Sequence, residues 1–308
     1  MSTPAVGPSS GERHVRPPGS DESAARRPAA GSVPAGPGAR SVSEVFARCA
    51  AQGRGALVGY LPAGYPTVDG SIELLTAAVE GGCDLVEVGI PYSDPVMDGP
   101  TIQAAADAAL RAGFRLRDVF TVVERIAAAG GAAVVMTYFN PVLRYGVDAF
   151  ARDLAAAGGL GVITPDLIPD EADEWLAAST AHGLDRIFLV APSSTEERIA
   201  ATAKASSGFL YATSTMGVTG ARAGVDAAAA TVVARCRPHT ALPVGVGLGV
   251  RSGAQAEEVA SFADAVIVGS ALVSAAERAG ADGVRTLAAE LAAGVARAGR
   301  RAGAPAPA

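Results

Sequence analysis

Two acidic residues eleven positions apart give this 308-residue chain its clearest chemical signal. Glu87 stands in DLVEVGI, between Val86 and Val88, in the middle of an apolar, β-branched run. An ionised carboxylate there is costly unless it is solvated, paired or protonated. Desolvation raises its pKa, which suits a group that gives and takes a proton near neutral pH. The same glutamate is compatible with a buried ion pair to an arginine of another strand, and spacing alone does not separate the two. Asp98 follows in a Pro- and Gly-rich stretch, YSDPVMDGP, which also holds Asp94. Loop acids of this kind serve either as catalytic groups held over a site or as turn formers and helix caps.

Other chemistries lack their residues. Lys204 is the one lysine, and it falls in a helical stretch, SSTEERIAATAKASS, rather than on a strand. A Schiff-base mechanism or a covalently held pyridoxal phosphate needs a lysine amine aimed at the site. His14 lies in the N-terminal tail, and His182 and His239 sit beside Gly183 and Pro238 in expected loops, so no metal site is expected. Cys49, Cys83 and Cys236 are odd in number, widely spaced and free of any CxxC, as in a reduced cytoplasmic protein. The net charge of −6 argues against a nucleic-acid groove. No apolar run is long enough to span a bilayer, and the N-terminus lacks the apolar centre of a secretory signal. Carbon–carbon chemistry in this chain would run on carboxylates and backbone dipoles.

The elements that must position these acids repeat regularly. Eight short apolar runs occur at 56–61, 84–90, 132–138, 160–165, 186–191, 208–213, 242–248 and 263–269. Nearly continuous β-branched runs fit parallel strands covered on both faces. The stretches between them, such as SIELLTAAVEGG and VDAFARDLAAAG, mostly fit one helix each. Eight strand–helix units predict a closed (β/α)8 TIM barrel, with its site at the C-terminal ends of the strands. An open doubly wound sheet is the alternative; against it, no GxGxxG follows the first strand. The 49% hydrophobic content is ample for one large core. We assign residues 1–40, rich in Pro, Gly, Ser and Arg, to a disordered tail, 41–298 to the barrel, and 299–308 to a frayed end.

The last three strands end in glycine-rich turns, TSTMGVTGARAG (213–224), GVGLGVRSG (245–253) and VGSALV (268–273). Exposed backbone N–H groups and a following helix N-terminus attract a phosphate at this corner of a barrel. Gly247, Gly249, Gly269 and Ser270 are the expected donors. GVTGARAG has the glycines of a hinged lid, from which Thr219 could donate to an acid beneath.

At this point a family becomes visible. LVEVGIPYSDPVMDGPTIQ closely resembles the signature of the tryptophan synthase alpha subunit, and YLPAGYP, TYFNPVLRYG, TPDLIPDEA, STMGVTG, GVGLGV and VGSALV follow in order. The resemblance spans roughly residues 43–295. It implies a lyase that splits indole-3-glycerol phosphate into indole and glyceraldehyde 3-phosphate, with Glu87 and Asp98 as the acid–base pair. By the same resemblance, Tyr60, Met136, Tyr138, Ile163, Pro165 and Leu189 line the indole pocket, and Tyr211 lies near both acids. Thr219 contacts Asp98 when the lid closes, and Gly220, Gly247, Leu248, Gly249, Gly269 and Ser270 hold phosphate. Asp94, Asn140 and Asp166 fall in loops that face a partner or support the site. The implied partner is a pyridoxal-phosphate beta subunit in an α2β2 tetramer, with no cofactor in this chain. The departures from the family's habit are Pro62, Tyr65, Thr215 and Leu248, which bear on lid closure and coupling rather than on the acid pair. A barrel kept only to scaffold or activate the beta subunit is the non-catalytic alternative.

Overall fold

The computed structural model describes residues 39, 41–213, 227–247 and 249–299. Their strands are β1 (Ala56–Pro62), β2 (Leu85–Gly89), β3 (Ala133–Met136), β4 (Gly161–Ile163), β5 (Asp185–Ile187), β6 (Leu189–Val190), β7 (Leu210–Thr213), β8 (Val244–Gly247) and β9 (Ala265–Val268). All pair in parallel, in the order β5-β4-β3-β2-β1-β9-β8-β7-β6. The two ends of this order, β5 and β6, are separated in the chain by Phe188 alone. They are two segments of one strand, so the sheet closes on itself as an eight-stranded TIM barrel. The expected single run at 186–191 is thus divided. Ile187 pairs back to Ile163 of β4, while Leu189 pairs forward to Tyr211 of β7.

Strand alternation sorts the core into two layers. Leu57, Val86, Val135, Val162, Phe188, Leu210, Val246 and Val266 face the surrounding helices. Val58, Leu85, Val134, Ile163, Ile187, Phe209 and Ile267 form a second cluster that fills the barrel. This is the period-two pattern of parallel strands with both faces buried. The helix Val42–Ala51 joins the inner cluster through Val42, Val45, Phe46 and Cys49. Ser41 caps it by accepting from the Glu44 N–H at 3.2 Å, and the Phe46 ring lies 5.4 Å from that of Phe209. This helix therefore plugs the N-terminal end of the barrel. The neighbouring rim is tied by Asp84, which accepts two 2.7 Å bonds from the Arg54 guanidinium and one from the Leu57 N–H.

The expectation of one helix per unit needs correction after β9, where Ser270–Ala298 is two helices meeting at a kink at Ala279 and Gly280, and at two further places. After β2 come both Pro100–Arg111 and Asp118–Ala128. After β3 come both Phe139–Tyr145 and Val147–Ala156. The extra helices lie at the strands' C-terminal ends, where added chain can shape a site without disturbing the barrel. His182 also departs from expectation, since it ends the helix Asp173–His182 and pairs with Asp148 at 2.9 Å. The expectations for 1–40 and 300–308 fall, apart from Ala39, outside the described residues.

Candidate active site

Glu87 occupies the centre of β2, and alternation puts it on the same face as Leu85, which belongs to the inner cluster. Its side chain is 1% exposed. No ion pair among the described residues engages it, and its Oε1 has no hydrogen-bond partner there. Burial pushes its pKa up to about 8, with no cation among the described residues to oppose the rise. Of the two readings open to the sequence, the buried ion pair is not what the described residues form. At neutral pH this carboxyl is mostly protonated and able to act as an acid.

Tyr60 lies beside Glu87 in the β1–β2 register. The Tyr60 hydroxyl is driven well above its ordinary pKa by burial and then by the charges of Asp98 and Glu87. Tyr211, on the inner face of β7, is raised in the same way by burial and by Glu87. Both phenols remain protonated donors. Glycines make room for these rings. A Cβ on Gly89 would overlap the Tyr60 hydroxyl, and one on Gly247 would meet the Tyr211 hydroxyl at 2.5 Å. A Cβ on Gly269 would lie 3.3 Å from the Tyr60 ring. Two of the glycines expected to bind phosphate therefore also shape the wall beside the acid. Met136 and Leu189 pack on the inner cluster, Ile163 belongs to it, and alternation places all three toward the barrel interior at the C-terminal side.

Asp98 approaches from the loop after β2. It is half-buried, and burial lifts its pKa while a hydrogen bond from Tyr138 lowers it. The Tyr138 hydroxyl donates to Asp98 Oδ1 at 3.2 Å and accepts from the backbone N–H groups of Val96 and Met97, each at 3.1 Å. Gln103 Nε2 donates to the Asp98 carbonyl at 2.7 Å. Sequence reasoning missed Gln103 and the two loop amides, and no sequence signal marks a backbone amide. The support extends outward. Both Asp166 carboxylate oxygens accept from the Phe139 N–H at 3.0 and 3.1 Å, Asn140 Nδ2 donates to the Tyr92 hydroxyl, and the Tyr92 and Tyr138 rings lie 5.2 Å apart. Asp94 accepts instead from its neighbour Ser93 at 2.6 Å.

At the opposite corner Gly247 ends β8, Gly249 follows with φ of +66°, and Gly269 caps the helix that starts at Ser270. The free N–H groups and dipole of that helix start favour an anion. Thr215, Thr219, Gly220 and Leu248 lie outside the described residues. Pro62 ends β1 and is buried, and Tyr65 packs against the outer core layer.

These positions can be set beside known proteins. The family model described as tryptophan synthase alpha chain matches residues 46–299. A tryptophan synthase alpha chain of Nocardia farcinica is 68% identical over 254 residues, covering 82% of this chain and 95% of its own. One from Mycobacterium tuberculosis is 65% identical over 257 residues, covering 83% of this chain and 95% of its own. A solved structure of Mycobacterium tuberculosis tryptophan synthase superposes with a TM-score of 0.80 at 65% identity, over 82% of this chain and 97% of that one. A buried, uncompensated glutamate, an acid in the adjoining loop and an anion-ready helix start thus sit in a chain matched from end to end of its barrel, and the chain belongs to the tryptophan synthase alpha chain family.

Proposed function

We infer that this chain carries out its family's lyase reaction, splitting indole-3-glycerol phosphate into indole and glyceraldehyde 3-phosphate, with Glu87 and Asp98 as the acid–base pair. The observation that carries this assignment is the Glu87 carboxyl, buried without an ion-pair partner among the described residues and holding its proton up to about pH 8. Glu87 protonates C3 of the indole ring. Asp98 takes up, or balances electrostatically, the proton on the ring nitrogen as the ring becomes an electron-accepting indolenine. Glu87, now ionised, removes the proton from the hydroxyl on the carbon attached to C3. The electrons of the C3–carbon bond return to the ring, the ring nitrogen recovers any proton Asp98 has taken, indole is released, and the hydroxyl carbon becomes the aldehyde. Tyr60, Met136, Tyr138, Ile163, Leu189 and Tyr211 provide the walls for the indole. Gly247, Gly249, Gly269 and Ser270 present backbone donors to the phosphate, with Thr219, Gly220 and Leu248 assigned by resemblance. Residues 41–298 form the catalytic unit.

The carboxylates, backbone dipoles and tyrosines make up the machinery, and no cofactor is assigned to this chain. The pyridoxal phosphate belongs to the beta subunit, which receives the indole in a cytoplasmic α2β2 assembly. The large apolar side chains of Val96, Leu143 and Ile168 support such a partner. They are exposed on the segments that follow β2, β3 and β4, around the barrel mouth. No helix of the described residues is long and apolar enough to cross a membrane.

Two experiments test this reading. Asp98→Asn should lower indole formation from indole-3-glycerol phosphate by at least about a hundredfold; near-normal turnover would remove Asp98 from the mechanism. Titrating the full chain with a tryptophan synthase beta subunit should raise its indole formation, and a titration with neither binding nor activation rejects the partner.

A further inference from the structure

We propose that the Tyr138 hydroxyl, beyond lining the pocket, is the positioning group that fixes the carboxylate of Asp98 and the loop carrying it. The proposal rests on the reading of Asp98 as one of the acid–base pair. A phenol has one proton to give and two lone pairs to receive. At Tyr138 all three are used, and all on one short segment. The oxygen accepts from Val96 and Met97, and the proton goes to Asp98 Oδ1. Three consecutive residues of the loop after β2 are thus gathered on a single atom from the next unit of the barrel.

The arrangement is directional. Burial and the nearby Asp98 hold the Tyr138 pKa up at about 12, so its proton is present throughout the working pH range. Two amides pointing at the oxygen polarise the O–H and strengthen what it donates. A fixed donor favours the ionised form of the carboxylate it faces, so Tyr138 works against the burial that would otherwise keep Asp98 neutral. The other titratable groups around Asp98 are Tyr60 from β1, whose hydroxyl feels the Asp98 charge, and Glu87 from β2, which acts on the same Tyr60. Both Tyr60 and Glu87 are protonated near neutral pH, which leaves Tyr138, among the described residues, as the side-chain donor in direct contact.

Tyr138 is itself held from behind. It is 6% exposed, and it precedes the helix Phe139–Tyr145 as its N-cap. Asp166 grips the first N–H of that helix with both oxygens, and the Tyr92 ring lies tilted at 37° against the Tyr138 ring. The ring therefore has little freedom to follow the loop, and the loop must follow the ring.

The test uses the full chain with indole-3-glycerol phosphate. Tyr138→Phe keeps the ring and deletes the oxygen. We expect kcat to fall at least tenfold with KM changed much less. The acid limb of the kcat profile should move up by about one pH unit, as expected when a carboxylate loses a donor. A role confined to packing would not move that limb. In the Asp98→Asn background the same substitution should cost less than about twofold, because two residues acting through one contact are not additive. An independent readout needs no variant: in the unaltered chain the amides of Val96 and Met97 should exchange slowly, although the Val96 side chain is 73% exposed. Unprotected amides, an unmoved acid limb, or a full multiplicative loss in the Asp98→Asn background would each overturn the proposal. If Asp98→Asn is inactive while Tyr138→Phe behaves normally, the positioning role alone falls. If Asp98→Asn turns over normally, the underlying assignment falls with it.

Discussion

Glu87→Gln should leave a folded protein that makes at least about a hundredfold less indole, while growing more stable than the unaltered chain as pH rises. The two effects share one cause. Glutamine matches the shape of a protonated glutamic acid and fills the same place in β2, but it has no proton to deliver to C3 and no charge with which to take one back. The stability effect follows from linkage. The folded-state pKa of Glu87 is raised from 4.5 to about 8. Below pH 4.5 the carboxyl is protonated whether the chain is folded or not, and it contributes nothing to the pH dependence. Between 4.5 and 8 the unfolded chain releases a proton that the folded chain keeps, so stability falls as pH rises. Above 8 both forms are ionised and the loss levels off at up to about 5 kcal/mol. Melting curves of Glu87→Gln and the unaltered chain should therefore diverge across that window. Parallel curves would mean that Glu87 is not a neutral acid in the fold. Activity of the unaltered chain should likewise decline as pH rises through about 8, when the acid that begins the reaction is lost.

Gly89→Ala should reduce both turnover and stability, although it adds one methyl group two residues from the acid. The new Cβ would occupy the position of the Tyr60 hydroxyl and crowd the end of its ring. Gly89 does not have a left-handed φ, so the effect is steric rather than conformational. Tyr60 is bounded by Gly269 on another side, since a Cβ there would already lie 3.3 Å from its ring. The ring must therefore shift, or β1 and β2 must part where Tyr60 pairs with Glu87. Overpacking of this kind costs about 1–3 kcal/mol. A displacement near 1 Å beside a reacting group costs roughly a hundredfold in rate. Adding Tyr60→Leu to Gly89→Ala removes the obstructed ring, so the stability losses of the pair should sum to less than the two taken separately. Strict additivity, or wild-type kcat in Gly89→Ala, would show that Tyr60 has room the packing denies.

The barrel was legible because short β-branched apolar runs recur eight times between helical stretches. Which face each residue takes was not legible in such continuous runs; the structure turns Val86 and Val88 to the helices, and alternation along the strands then puts Glu87, Tyr60, Met136, Ile163 and Tyr211 toward the interior. The break at Phe188 was not legible, since RIFLVA is uniformly apolar and nothing in it marks where pairing passes from one neighbour to the other. The additional helix after β2, Pro100–Arg111, was hidden because PTIQAAADAALR reads as part of a long loop when one helix per strand is expected. The contacts of Tyr138 lie out of reach for a different reason. They join residues about forty positions apart through backbone amides, and an amide carries no sequence label. Glu87 was open to two readings until its surroundings were known, because burial and pairing leave the same mark on a sequence and differ only in three dimensions.

The plug formed by Val42–Ala51 has a consequence for traffic. With Val42, Val45, Phe46 and Cys49 wedged among the inward side chains of the strands, the floor of the barrel is oily and shut. Among the described residues, a flat, uncharged molecule released beside Glu87 meets packed apolar side chains beneath it. The open side is the rim where Asp98 is held and where Val96, Leu143 and Ile168 stand uncovered. A partner docked on that rim would stand in the product's path, so the floor of the barrel, remote from every bond that is made or broken, would bias the direction of release.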